Sequence, residues 1–409
     1  MARIYTHATP FLRRGFLVAI LSTAALAHFS LSCAQSSESP RAGQDKLSTI
    51  RRLLDEEYAK DGRGGFAFGL VERGKLTWTY CAGFAVEDSK RSATADDIYP
   101  IASATKMLTG LMLLQLVERG KVHLSDPVEK YVPEIGKMAN PYPWAPPITL
   151  MQLATMTAGL QAGVSIPEDA RSAVNAAPTW EEKFALVIPS LKFQYEPGTA
   201  RHYSNAGYAI LGLALSRAAK RAYEAYVAEE ILKPLQMNDS AFFVPSAKEQ
   251  RIVFGYVVNG SKMKPARAFN EPNMILEPAA GLLTTVGDLA KLMQFQLAGG
   301  APRVLSDEMR KASYQLLVAS DGDLKYGDGV GFAAVRDTGS HLTALGHGGA
   351  FPDGFVASYE FDLPSQTGVI LLANTYGGRA NYKPLMRKIL FLLNPASSGG
   401  TGLPALEEH

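Results

Sequence analysis

The stretch MLTGLMLLQLV, Met107 to Val117, restricts what this chain can fold into more than any other. It is apolar on nearly every face, and a helix of that kind has no side to offer to water, so it must run through the interior. At its mouth, in IASATKMLTG, stand Ser103 and Lys106. Serine is favoured at helix N-termini and lysine is a good helix former, so the pair alone says little. Its position says more, because a lysine at the start of a buried element puts an ammonium where desolvation is costly. Residues three apart share a helix face, so the amine can reach the hydroxyl. A second S-x-x-K, Ser261 to Lys264, lies among loop-forming residues and reads as a solvated coincidence.

The 409 residues are 47% hydrophobic and 20% charged, an ordinary globular composition that can build one large core. A formal net charge of +2 gives no footprint for nucleic acid or a membrane surface, and neither is expected as a partner. Arg13 and Arg14 precede FLVAILSTAALA (16–27), which is too short to span a bilayer and suits the apolar core of a secretory signal. Ser32-Cys33-Ala34 follows as a small-x-small cleavage site, so residues 1–35 are expected to be a leader and the protein exported, periplasmic or secreted. RRGFL at Arg13 to Leu17 resembles a twin-arginine signal; alternatively Leu31-Ser32-Cys33 is a lipidation site, and a lipid on Cys33 is then the one expected membrane contact. With Cys33 removed or acylated, Cys81 has no disulfide partner and the core must hold the fold. Cys81 sits in an apolar strand pattern and reads as a small buried hydrophobe.

A Ser-rich linker (36–45) leads to Leu47, Ile50, Leu53, Leu54 and Tyr58, which recur at helical spacing. GFAFGLV (65–71) and LTWTYCAG (76–83) read as a hairpin. Between 104 and 279 the patterns are mostly helical: Thr149 with Gln152 and Thr285 with Asp288 are capping boxes, and Pro234 stops a helix over YEAYVAEEILKPL. Strands return as GVGFAAV (329–335), GFVASYEF (354–361) and TGVILLA (367–373), followed by a last helix, YKPLMRKILFLL, and a tail at 396–409. The expectation is an α/β fold of the α+β type in one domain, 46–395: an antiparallel sheet from both chain ends (46–103 and 280–395) with helices packed on it. The helical insertion (104–279) forms a cleft where it meets the sheet.

A serine needs a base to become a nucleophile, and no G-x-S-x-G is present to supply the α/β-hydrolase solution. A buried lysine, its pKa lowered by desolvation, is another solution. EPGTARHYSNAGYAILG sets Tyr203-Ser204-Asn205 at a turn into a helix, and LGHGGAFPDGF sets His347-Gly348-Gly349 beside the strands that close the sheet. Each alone reads as ordinary packing or a turn. The order S-x-x-K, Tyr-x-Asn, His-x-Gly resembles the serine beta-lactamase-like family: class C beta-lactamases, D-alanyl-D-alanine peptidases, D-aminopeptidases and family VIII esterases. The resemblance covers about residues 50 to 390 and includes YPIASATKMLTGLMLLQLVERGKVHLSDPVEKYVPE and AAGLLTTVGDLAKL. Three departures stand out. Met156 and Ala158 replace a common His and Ser in one loop, and His347 stands where the lactamases carry Lys and many esterases Trp. Gln366-Thr367-Gly368 imitates the third motif one strand too late.

The resemblance implies a beta-lactamase/transpeptidase-like fold and an acyl-enzyme on Ser103, with Lys106 and Tyr203 sharing the proton and either serving as base. It implies that neighbouring cations lower the Tyr203 pKa. It further implies an oxyanion held by the N–H groups of Ser103 and Ala350, close substrate approach at Gly349, and Asn205 on Lys106 or a substrate carbonyl. His347 orients substrate or stabilises its charge, and with an unperturbed pKa of ~6.5 it makes activity pH-dependent there. No metal or cofactor is expected: the histidines lack zinc-ligand spacing and no Gly-rich phosphate loop follows a strand. The partner is then a small-molecule or peptide substrate, an amide or ester such as a D-amino-acid peptide. A class C type lactamase and a catalytically silent penicillin-binding-like sensor are the alternatives, and the oligomeric state is left open.

Overall fold

Alternation along two neighbouring strands decides the layering. In β1 (Gly65–Glu72) the side chains of Phe66, Phe68 and Leu70 point one way and those of Ala67 and Val71 the other, and all five are buried. A strand buried on both faces reads as a continuous apolar run, and GFAFGLV is one. β1 pairs antiparallel with β2 (Lys75–Val86) as the expected hairpin and, on its other edge, with β9 (Thr367–Ala373) from the far end of the chain. The two chain ends therefore share one sheet.

The computed structural model describes residues 40–260, 262–266, 270, 273–314, 318–320, 323–336 and 342–394. The expected leader (1–35), with Cys33, and the tail (396–409) lie outside them. The remaining sheet strands are β3 (Arg91–Ser92), β4 (Val318–Ser320), β5 (Asp323–Asp328), β6 (Ala333–Arg336), β7 (Leu342–Phe351) and β8 (Phe355–Asp362). They assemble in the order β3-β2-β1-β9-β8-β7-β6-β5-β4. On one face lie α1 (Pro40–Ala59), through Ile50, Leu53 and Leu54, and the last helix, Tyr382–Leu393, through Leu385, Met386 and Ile389. On the other face Ala67, Val71, Ile370 and Leu372 meet the larger core of α2 (Lys106–Glu118), α3 (Leu150–Ala154), α4 (Asn205–Ala219) and α6 (Val286–Ala298), with the short α5 (Glu277–Ala280) between them. Leu108 through Gln115 of α2 are all buried, as a helix apolar all round requires. The fold is the expected α+β arrangement.

Several expectations need correction. α1 begins at Pro40, inside the stretch read as linker. Of GVGFAAV only Ala333 onward is strand: Val330 and Gly331 cross α2 so closely that a Cβ on Gly110 would lie 2.7 Å from the Val330 carbonyl oxygen. Six strands of this sheet, not three, come from the C-terminal side: β4 and β5 were not expected, and in β7 the glycines at 346, 348 and 349 mask the alternation. Thr285 does cap α6 by accepting from the Asp288 N–H, but the Asp288 carboxylate accepts from Asp239 N–H and Ser240 Oγ instead of completing a box. Thr149 and Gln152 form the full box. The insertion also carries a short strand pair, Tyr256–Asn259 with Lys262–Pro265, and Lys264 of the second S-x-x-K is exposed there. Cys81 is half-buried in β2, and burial pushes its thiol up to about 11, which fits the inert reading.

A fully buried amide helps to join insertion and sheet. Asn374 Oδ1 accepts from Gly65 N–H at 2.6 Å, while Nδ2 donates to the carbonyls of Phe84, Ala85 and Phe254. Truncation would strand these groups without water. Asn374→Ala is therefore expected to cost roughly 3 kcal/mol, read as a lower urea midpoint at unchanged slope.

Candidate active site

The nucleophile candidate sits on a turn that the backbone is forced to make. Ala102 takes φ +46°, a left-handed conformation that non-glycine residues reach at a cost of about 1–3 kcal/mol. Ile101 N–H to Leu282 O (3.0 Å) and Leu282 N–H to Thr105 Oγ1 (3.0 Å) hold the segment on either side. The 3-10 turn Ala102–Thr105 then leads directly into α2. Ala102, Ala104 and Thr105 are buried, and Ser103 alone of the four is partly open. Its N–H lies in the first turn, where amides have no partner within the helix.

Lys106 is fully buried, and its Nζ lies 3.2 Å from Ser103 Oγ, 2.6 Å from Asn205 Oδ1 and 2.9 Å from Ala279 O. Aromatic rings close the remaining space: Nζ is 4.9 Å from the Tyr203 ring centroid and 5.4 Å from that of Tyr208. Among the described residues no carboxylate pairs with this amine, so nothing offsets its burial, and desolvation holds its pKa well below the usual lysine value.

Tyr203 donates its phenol O–H to Ser103 Oγ at 2.6 Å. It reaches the site because Ser204 caps α4, accepting from Gly207 N–H, and so fixes where the preceding residues enter the helix. Asn205, the first residue of α4, thereby faces Lys106. The loop Thr155–Gly159 supports the strap before Tyr203: Met156 O accepts from His202 N–H and Thr157 O from Gly198 N–H, both at 2.8 Å. Met156 and Ala158 thus leave this support in place. The expected lowering of the Tyr203 pKa is wrong in direction. Burial dominates and pushes the phenol up to about 12, against a smaller lowering from its bond to Ser103; Asp328 raises it further and Arg201 lowers it.

His347, Gly349 and Ala350 lie on β7, whose pairing with β6 stops at Gly346. Beyond that point the strand's outer edge has no partner strand among the described residues and faces the Ser103 turn. A Cβ on Gly349 would fall 2.0 Å from Ile101 O and 3.1 Å from Ser103 N, so only glycine permits this approach. Ala350 is exposed on the same edge, one residue further. His347 departs from expectation. Its Nδ1 lies 2.5 Å from Gly348 O, which fixes the proton on Nδ1. Burial first, then the Lys106 amine, press its pKa down to about 3. Both favour the neutral imidazole, so the titration near pH ~6.5 expected of an unperturbed ring moves down.

One element the sequence analysis did not register is the ion pair of Arg201 with the buried Asp328 of β5, 2.6 Å from Nε to Oδ2. It ties the Tyr203 strap to the strand next to the sheet's outermost one, and no sequence signal joins two residues so far apart. The Ala279 carbonyl was missed for the same reason. Among the described residues no group of His, Cys, Asp and Glu side chains is arranged to hold a metal ion.

A family model described as Beta-lactamase matches residues 50–391. Among curated proteins, Protein flp of Staphylococcus aureus (strain MW2) is 29% identical over 257 residues, covering 63% of this chain and 50% of the relative. Beta-lactamase-like protein 2 of Dictyostelium discoideum is 30% identical over 325 residues, covering 74% and 56%. The chain thus spans about half the length of the curated relatives it matches. Among solved structures, an octameric penicillin-binding protein homologue from Pyrococcus abyssi superposes with a TM-score of 0.71 at 24% identity, over 85% of this chain and 77% of that one, a likeness of fold.

The contact at Gly349 makes a direct prediction. Gly349→Ala must push β7 away from Ser103, and displacement on the order of 1 Å costs about a hundredfold in a reaction that needs this alignment. Labelling of Ser103 by a fluorophosphonate is expected to slow by that factor, with far-UV circular dichroism unchanged.

Proposed function

The chain belongs to the Beta-lactamase family, and from that premise we propose that it is an exported serine hydrolase that forms an acyl-enzyme on Ser103 and cleaves a neutral or cationic ester or amide. The observation that carries this reading is the set of three contacts at Lys106 Nζ. A neutral amine has two N–H donors and one lone pair. The carbonyl oxygens of Asn205 and Ala279 take the two donors, so the lone pair faces the Ser103 O–H.

This assigns the proton roles that the sequence left open. Lys106 is the base in the resting site, because burial favours its neutral form; Tyr203 is the phenol, because burial keeps it protonated. As Ser103 Oγ bonds to the substrate carbonyl carbon, its proton passes to Lys106. The resulting oxyanion is held by the N–H groups of Ser103 and Ala350. When the bond to the leaving group breaks, Tyr203 gives that group its proton and recovers one from the Lys106 ammonium. Water then enters, loses its proton along the same relay in reverse, and releases the acid. The three groups titrate as one unit.

Substrate charge follows from His347. With its proton on Nδ1 directed at Gly348 O, the imidazole offers an acceptor at Nε2 and no positive charge. That favours an acyl or amine portion bearing an N–H or O–H donor over the carboxylate of a penicillin. Arg201 is engaged by Asp328. The lactamase alternative is disfavoured on this ground. The silent sensor is disfavoured because a site without chemistry has no use for a buried, unneutralised lysine. Export rests on the leader read from residues 1–35.

The test is to incubate the protein at pH 7 to 8 with a fluorophosphonate, a penicillin, a p-nitrophenyl ester and a D-alanyl peptide, and to map adducts by mass spectrometry. A Ser103 adduct with ester turnover is expected; no adduct from any of them overturns the reading, and turnover of penicillin alone promotes the lactamase. Because Lys106 acts when deprotonated, the labelling rate rises with pH and its rising limb lies below the ordinary lysine range. Lys106→Met is expected to lower that rate by about 10³.

A further inference from the structure

The Ala279 carbonyl that receives Lys106 belongs to a short, heavily braced segment. Pro278 O, one residue earlier, accepts from Thr109 Oγ1 of α2 at 2.6 Å, and Thr109 Oγ1 is also 2.7 Å from Tyr223 OH. The Pro278 ring seats on α4 at Gly212, where a Cβ would come within 2.2 Å of its Cγ. Under this segment lies Glu277, 1% exposed. Its Oε1 accepts from Met274 N–H at 2.9 Å, while Oε2 is buried with no partner, against the Gly281 backbone where a Cβ would meet it at 1.9 Å. The side chain therefore spans the turn from Met274 to Gly281, with Ala279 inside the span.

We propose that Glu277 is a positioning residue for the nucleophile: its buried carboxyl, wedged between the Met274 N–H and the Gly281 backbone, fixes the turn whose carbonyl holds Lys106, and ionisation of that carboxyl detaches the amine from Ser103. This rests on the reading of Lys106 as the base. The surroundings favour the neutral acid. From the helix Trp180–Val187 face Glu181 and Lys183, and from the helix Tyr223–Val227 face Tyr223 and Glu224, while α2 meets the segment through Lys106 on Ala279 O and Thr109 on Pro278 O. Burial pushes the carboxyl up to about 9; the Met274 N–H opposes it, the like charges of Glu224 and then Glu181 add smaller raising, and Lys183 lowers it least. A carboxylate there would have one N–H donor, a bare second oxygen and two acidic neighbours. The turn must give way to admit water. Ala279 O moves with it.

Two consequences are measurable. Activity acquires an alkaline limb with a midpoint of about 9. Stability is affected over a lower window, because a group whose pKa is raised on folding from 4.5 to about 9 binds its proton more tightly in the native state. Its contribution is intact below pH ~4.5 and is eroded as pH rises from there to about 9.

The experiment follows fluorophosphonate labelling of Ser103 from pH 6 to 10.5 in the full chain, Glu277→Gln and Glu224→Gln, with melting temperatures at pH 4.5 and 8. In the wild type the rate is expected to fall about tenfold from its plateau one pH unit above the midpoint. Glu277→Gln, a permanently neutral isostere, abolishes that limb and raises the melting temperature at pH 8 but not at pH 4.5. Glu224→Gln removes a like charge and moves the limb to lower pH, which keeps the proposal testable if Glu277→Gln does not fold. A labelled wild type without the limb, a limb retained in Glu277→Gln, or a limb unmoved in Glu224→Gln overturns this inference alone. Absence of Ser103 labelling at every pH overturns the hydrolase reading and this inference with it.

Discussion

Everything in this molecule is arranged around an amine taken out of water without a counter-charge. Burying Lys106 beside a carboxylate would have fixed it as an ammonium; with only two carbonyl oxygens, a hydroxyl and two aromatic rings around it, no full negative charge among the described residues offsets the desolvation, and burial lowers its pKa. The architecture supplies that environment from separated parts of the chain. α2 must be apolar on every face because other elements enclose it, α4 brings Asn205, and α5 brings a backbone oxygen. The sheet edge then meets the exposed end of the same site. A helix that could not show any side to water is thus the physical reason a lysine at its start has a shifted proton affinity.

Backbone strain on one side of Ser103 and backbone proximity on the other serve a single purpose. The left-handed Ala102 turns the Ser103 N–H and Oγ out of the helix together, and Gly349 allows the edge of β7 to lie against them. Neither feature is stabilising in itself. A non-glycine at positive φ costs energy, and an edge strand that stops pairing at Gly346 forgoes hydrogen bonds. Both are held by the surrounding core, the turn through Leu282 and Thr105, the strand through its full pairing with β8. Strain gathered at a reactive hydroxyl is consistent with positioning for chemistry.

How much of this was legible in the sequence follows from the range over which each signal acts. Ser103 and Lys106 are neighbours along a helix, so their meeting could be read from spacing alone. Tyr203 and Asn205 were legible through the Ser204 cap and the motif around them. The hairpin of β1 and β2, the return of β9 and the last helix followed from periodicity. β7 was not readable as a strand because three glycines replace its alternating side chains, although those glycines were the mark of the close approach. Ala279 acts through its carbonyl, which every residue has, so no residue type could point to it. The Arg201–Asp328 pair depends on contact across 127 positions. The direction of the Tyr203 shift and the unperturbed pKa expected of His347 were misjudged because charge neighbours can be guessed from a motif, whereas depth of burial belongs to the assembled fold.

The His347 correction bears on recognition. A lysine in that position brings a cation to the mouth of the site; a neutral imidazole with Nδ1 turned to its own backbone brings a lone pair. The two select opposite partners, since a cation attracts a carboxylate and repels an amine, while an imidazole lone pair accepts from an amine or hydroxyl and gains nothing from a carboxylate. Lys106 strengthens the contrast. In the proposed reaction Lys106 takes the Ser103 proton, and it is the Lys106 positive charge that, after burial, disfavours a second proton on the imidazole. On that reading the developing charge is confined to Lys106 and the oxyanion, and the imidazole remains a fixed acceptor while bonds change. On the proposed reading, selectivity against acidic substrates would be built from the same burial that lowers the Lys106 pKa.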